Sequence, residues 1–165
     1  MVRRSAEAVM AAVPRLTVVT GYQPDLIREA LAGLDATFVH NPDYASGLGL
    51  SLAAGIRALP GSANGVVVGL ADMPFVLPQT VSALVAAFRE ADSSVVVPVY
   101  DGTRGNPVVW PRRCYSALAH LSGDFGGRRL LRGEALHELP VDDPGVLRDV
   151  DILADLDPAE TGPLG

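Results

Sequence analysis

Gly65-Val66-Val67-Val68-Gly69-Leu70-Ala71-Asp72-Met73-Pro74-Phe75-Val76 is the stretch whose reading decides the fold. Three consecutive valines with a leucine close behind form a short apolar run, as expected of a strand buried on both faces of a sheet. The run ends at Ala71-Asp72-Met73-Pro74, where a carboxylate meets a proline that cannot continue a hydrogen-bonded ladder. In an open α/β sheet, ligands bind beyond the carboxyl ends of the strands, and Asp72 falls at such an end. Two roles for Asp72 stand at this point. As an oxygen donor it suits Mg²⁺, which takes one or two carboxylates and keeps water for substrate phosphates. As a turn residue it would hold backbone N–H groups near Pro78.

Outward from this strand the pattern alternates. Ala6, Val9, Met10 and Val13 have the spacing of an amphipathic helix over residues 3–13, and Leu16–Thr20 reads as a short buried strand closed by Gly21. Residues 24–31 read as a helix and Ala36–His40 as a second strand, which together make a βαβ unit of a parallel sheet. A turn-rich loop from Asn41 to Gly49 leads into a helix over 48–59. Beyond the central stretch come a helix over 78–89 and a strand over 94–100, in which Pro98 marks an edge or a bulge. Asp101-Gly102-Thr103-Arg104 turns the chain back into a strand over 106–110, a β-hairpin inserted in the α/β order. Helical pieces near 112–121 and 127–131, a strand over 136–141, a last short strand over 147–150 and a helix near 153–156 complete the chain. The expected architecture is one three-layer α/β domain over residues 1–157, mostly parallel in its sheet, with a frayed tail over 158–165.

Composition narrows the functional classes. With 165 residues, 48% of them hydrophobic and 19% charged, the chain can bury a core of its own. No apolar run is long enough to span a bilayer and no signal-peptide pattern is present. The formal net charge of −6 argues against nucleic acid as a partner. Cys114, the single cysteine, excludes an internal disulfide and a cysteine-cluster metal site. These features suit the cytoplasm. All 13 basic residues are arginine, so no lysine can hold a phosphate.

Several short patterns could carry chemistry. Gly47-Leu48-Gly49-Leu50-Ser51 opens a helix directly after a loop; N–H groups there could bind an anion, or the glycines could serve the turn alone. Asn106, followed by Pro107, could contact a substrate carbonyl or base edge, or cap its turn. Asp124 reads as an N-cap, with Arg128 or Arg129 as candidate anion ligands. Asp149 and Asp151 alternate on the expected last strand and face the same way. Two such carboxylates repel each other unless a cation or an arginine lies between them, which leaves Asp151 as a second magnesium candidate or the N-cap of the next helix. His40, His120 and His137 lack metal-ligand spacing. Neither a nucleophile elbow, a P-loop nor a dinucleotide-binding glycine signature is present.

In order and spacing, V-V-T-G-Y, N-P-D-Y-A-S-G-L-G-L-S-L-A-A-G, L-A-D-M-P-F-V, G-N-P-V, L-S-G-D-F-G-G-R-R-L-L and V-D-D-P-G-V-L-R-D-V-D resemble the molybdenum cofactor cytidylyltransferase family, within the MobA-like nucleotidyltransferases. The resemblance implies a Rossmann-like nucleotidyltransferase fold and an Mg²⁺-dependent transfer from CTP, or another NTP, to a molybdopterin-type cofactor. A molybdoenzyme or its chaperone would be a further partner. By the same resemblance Asp72 is the catalytic, metal-binding aspartate, Gly47, Gly49 and Ser51 lie beside the nucleotide, and Asp151 is a second metal ligand. Asn106, where relatives commonly carry histidine, and Pro107 would contact substrate. Ile152 stands where the family has threonine.

The front of the chain departs from the family. The family's opening strand and its L-A-A-G-x-S-x-R-M-G loop with a following lysine have no counterpart, so a first strand is expected to be missing and a gap to open in the sheet. Two outcomes follow. One is a nucleotidyltransferase with its start placed late and impaired as it stands. The other is a non-catalytic remnant that binds a cofactor, a molybdoenzyme or a chain that completes the sheet. A glycosyltransferase using D-V-D as its metal motif is a distant third.

Overall fold

The computed structural model describes residues 1–91, 94–124 and 126–150. Helix α1 (Val2–Met10) leads into strand β1 (Leu16–Thr20), then α2 (Pro24–Ala30), β2 (Ala36–His40) and α3 (Leu48–Arg57). Strand β3 (Gly65–Val68) and helix α4 (Pro78–Glu90) follow, then β4 (Val95–Tyr100), β5 (Thr103–Arg104), β6 (Val108–Pro111), α5 (Tyr115–Ala119) and β7 (Leu136–Pro140). Pro24 and Pro78 each sit in the first turn of a helix, where the missing N–H is no loss.

The strands form two sheets. Strands β1 and β2 pair in parallel, Leu16 opposite Ala36 through Thr20 opposite His40. Strand β6 lies between β3 and β4 and is antiparallel to both, and β7 pairs in parallel with β4. The expected hairpin is present, with Val99 opposite Arg104 and Tyr100 opposite Thr103. Of the two roles expected for Pro98, the edge does not hold, because β4 is interior, and the extra residues lie not at Pro98 but on the segment facing it. Two residues separate Val96 from Val99, whereas four separate Arg104 from Val109, so the ladder is interrupted opposite Pro98. A proline can sit there because it owes the ladder no N–H.

The core is laid down along β4 and β6. Val95, Val96 and Val97 are fully enclosed, Trp110 and Val109 nearly so, and Leu84 and Leu118 cover them from the helices, while Val81 packs with Ala8, Met73 and Val76. Strand β3 departs from the sequence expectation: all four of its residues are half-buried, not enclosed. Among the described residues it pairs on one side only, with β6, and it is not joined to the sheet of β1 and β2.

The chain's end is also revised. No strand forms over 147–150. Pro144–Leu147 is a 3₁₀ turn, fixed because the Asp143 carboxylate accepts the Gly145 N–H at 2.9 Å. The pairing of Asp149 with Asp151 by strand alternation therefore has no basis. Asp151, the helix near 153–156 and the tail lie outside the described residues. No helix among the described residues is long and apolar enough to cross a membrane.

Candidate active site

Asp72 lies in the turn that carries the chain from β3 to α4. Its side chain is half-buried, and Oδ1 is fully enclosed with no hydrogen-bond partner among the described residues. The turn role expected for Asp72 belongs instead to Asp143, which is 2% exposed. One Asp143 oxygen accepts the Leu77 N–H at 2.9 Å and the Thr80 hydroxyl at 2.6 Å, and the other accepts Gly145 N–H. Asp143 thus ties the start of α4 to the 3₁₀ turn, and Asp72 is left without that duty. A buried carboxylate oxygen with no donor is costly, and a divalent cation satisfies it without a proton. The donor chemistry therefore fits a hard metal ion. The described residues contain no group of three His, Cys, Asp or Glu side chains that could hold one, so other oxygens must complete the shell. The Asp72 carbonyl accepts the Val150 N–H at 2.9 Å.

Gly47 and Gly49 have a packing reason to be glycine. Gly47 has φ 117°, and a Cβ there would stand 2.5 Å from the Gly123 oxygen and 2.7 Å from Asp124 Oδ1. A Cβ on Gly49 would stand 2.8 Å from the same carbonyl oxygen. The N–H groups expected to await an anion are partly engaged: Gly49 donates to Gly123 at 2.8 Å and Leu50 to Gly47 at 3.3 Å. Ser51 is positioned from its side chain, where Oγ accepts Asn41 Nδ2 at 3.0 Å. Asn41 is itself buried, its Oδ1 accepts the Asp43 N–H, and its backbone N–H donates to Thr20 at the end of β1. Sequence reasoning passed over Asn41; the Asn-Pro-Asp turn was its one signal.

A cavity of about 550 Å³ opens between the sheets. Ser51, Asn106, Asp124 and Arg128 supply polar groups to its wall, and Ala71, next to Asp72, reaches it as well. Asn106 follows the bulge opposite Pro98, and its backbone N–H donates to Val146 at 2.9 Å. The peptide bond to Pro107 is cis, and Pro107 shares a smaller adjoining hollow with Asn106, Leu70 and Met73. The structure therefore brings Ser51 and Asn106 to one cavity, whereas Asp72 does not line it and only its neighbour Ala71 does. Gly47, Gly49 and Pro107 do not line that cavity, although Leu48, between the two glycines, does. Arg128, one of two candidate anion ligands in the sequence, is the one that lines the cavity.

These elements define the class: a Rossmann-like α/β nucleotidyltransferase fold. Residues 1–140 match the MobA-like NTP transferase domain, and the chain belongs to that family. It is similar to Rv0371c of Mycobacterium tuberculosis, solved in complex with manganese, at 26% identity and a TM-score of 0.77 over 94% of this chain and 83% of that one. Among curated relatives it is 34% identical over 113 residues to the purine catabolism protein PucB of Bacillus subtilis, 66% of this chain and 54% of PucB. It is 24% identical over 138 residues to the molybdenum cofactor cytidylyltransferase of Escherichia coli, 83% of this chain and 69% of that one. The chain thus spans about half the length of PucB.

Proposed function

We propose that this chain is an Mg²⁺-dependent nucleotidyltransferase of the cytoplasm that takes CTP, or another NTP, and a molybdopterin-type acceptor. The observation that carries this reading is the enclosed Oδ1 of Asp72 in the turn after β3, which has no hydrogen-bond partner among the described residues. In the proposal Asp72, with Asp151, holds the ion, and the ion supplies charge neutralisation at the phosphate oxygens. Ser51, steadied by Asn41, contacts the nucleotide from the first turns of α3. Asn106 faces the acceptor from the opposite wall, held by its bond to Val146. Arg128 offers the cavity a guanidinium for phosphate oxygens. A molybdoenzyme or its chaperone would receive the product.

The same proposal gives these 165 residues little transfer activity. No lysine exists in the sequence to balance the leaving pyrophosphate, and among the described residues the cavity of about 550 Å³ is lined by a single arginine, Arg128. A second reading, a non-catalytic binder of the cofactor or of a molybdoenzyme, is favoured by the same two facts. The test measures pyrophosphate release with CTP and molybdopterin, alongside nucleotide binding by calorimetry with and without Mg²⁺. The catalytic-site reading expects Mg²⁺-dependent CTP binding that Asp72→Asn abolishes, with weak turnover. Nucleotide binding indifferent to both Mg²⁺ and Asp72 overturns it and leaves the binder.

A further inference from the structure

Two tyrosines from separate motifs, Tyr22 of V-V-T-G-Y and Tyr44 of N-P-D-Y-A-S-G, meet at the surface. Tyr22 follows β1, and Tyr44 opens a 3₁₀ turn (Tyr44–Ser46) between β2 and α3. Their ring centroids lie 6.4 Å apart with the planes inclined at 49°. Aromatic pairs attract at that separation, so each ring braces the other. Tyr44 is also seated from beneath: a Cβ on Gly21 would stand 2.4 Å from the Tyr44 Cβ and 2.5 Å from its Cγ, so the side chain rests on the Gly21 backbone. Yet Tyr22 is 69% exposed and Tyr44 40%, and neither belongs to a core cluster. Leu26 and Leu48, four residues after each tyrosine, are exposed as well. Aromatic surface held in place and left in water marks a site of contact.

The pair continues two walls of the cavity. Leu16 to Val19 of β1 line it one after another, and Thr20-Gly21-Tyr22 runs on from them. Leu48 and Ser51 of α3 line it too, and Tyr44 lies in the turn that leads into that helix. Asn41 ties the two approaches together, its N–H donating to the Thr20 carbonyl and its side chain to Ser51 Oγ.

The patch has the size and charge for one planar ring. Four side chains fall far short of the roughly 20–30 residues a side of a stable protein interface. Gln23, Asp25, Asp43 and Ser46, all exposed, stand next to them in sequence. The carboxylates of Asp25 and Asp43 repel a phosphate, so the uncharged end of a nucleotide belongs here. We propose that Tyr22 and Tyr44 form the stacking platform for the nucleobase, at the rim of the cavity whose interior takes the phosphates. This rests on the nucleotide side assigned above to Ser51. An aromatic face attracts every base without reading its hydrogen-bonding edge, so the pair adds affinity for CTP and GTP alike and does not choose between them.

The test is calorimetry on the full chain with Mg²⁺, using CTP, GTP and, as a probe without a base, inorganic triphosphate. Tyr22→Leu and Tyr44→Leu should each weaken both nucleotides about tenfold and leave triphosphate unchanged, while Tyr44→Phe stays within about twofold of the unaltered protein. Leucine keeps the Cβ and Cγ that rest on Gly21, and Tyr22→Leu, at the more exposed ring, serves if Tyr44→Leu does not fold. Unchanged nucleotide affinity in the leucine variants, equal losses for triphosphate and CTP, or a loss for one base alone would each overturn the proposal. So would pair-dependent binding of 6-hydroxymethylpterin but not CTP, or a leucine variant that alters only self-association. Mg²⁺-dependent CTP binding that Asp72→Asn abolishes and the leucine variants spare removes the platform and keeps the nucleotidyltransferase reading. Base binding through the tyrosines, indifferent to Mg²⁺ and Asp72, does the reverse, and no nucleotide binding at all overturns both.

Discussion

Replacing Asp143 by alanine removes one carboxylate and strands three donors: the Leu77 N–H, the Thr80 hydroxyl and the Gly145 N–H. Hydrogen bonds to a charged acceptor are worth about 1.5–3 kcal/mol each. Three at the low end of that range, less some relief from no longer burying a charge, give a loss of about 4 kcal/mol. For a domain of this size that corresponds to a fall of about 8–16 °C in thermal midpoint. Asp143→Asn keeps the shape, but turns an N–H₂ toward a donor on one side, and should cost about half as much. Urea denaturation followed by far-UV circular dichroism and Trp110 fluorescence measures both variants. A loss below about 1 kcal/mol for Asp143→Ala would refute the assignment of Asp143 as the tie between α4 and the 3₁₀ turn. Because Val146 in that turn holds the Asn106 N–H, the alanine variant should also loosen the acceptor side of the cavity.

Three further outcomes are expected. Gly47→Ala combines a left-handed backbone with a side chain driven against the Gly123 carbonyl and Asp124, and should destabilise by about 3 kcal/mol; a denaturation midpoint like the wild type's would contradict that packing. Asp72→Asn removes the charge from an enclosed oxygen that has no donor, so the free protein should melt at the same temperature or slightly higher while any Mg²⁺- or Mn²⁺-induced rise disappears. Differential scanning fluorimetry with and without the ions measures both effects. Cys114 is 3% exposed, and burial pushes its thiol above the usual cysteine range despite the neighbouring Arg113. Iodoacetamide should therefore leave the native chain unlabelled near neutral pH and label it readily in urea; fast native labelling would show the thiol to be accessible.

The sequence by itself determined the local elements and their order. Apolar periodicity, the helix-opening Pro24 and Pro78, and the Asp101-Gly102 turn are short-range signals, and each marks its element because backbone geometry answers to neighbours a few residues away. The same signals, with the ordered motifs, placed Asp72 at a strand end and gave the family that residues 1–140 match. What joins across the chain was decided by tertiary structure alone. Asp143 and not Asp72 caps the start of α4, because two aspartates near turns look alike until the fold brings residue 143 to residue 77. The role of Asn41 under Ser51, the antiparallel seat of β6 and the half-burial of β3 are likewise long-range facts. A valine run states that a strand is apolar; whether it is enclosed depends on what lies at its other edge, and that edge is fixed only when the two sheets take their places.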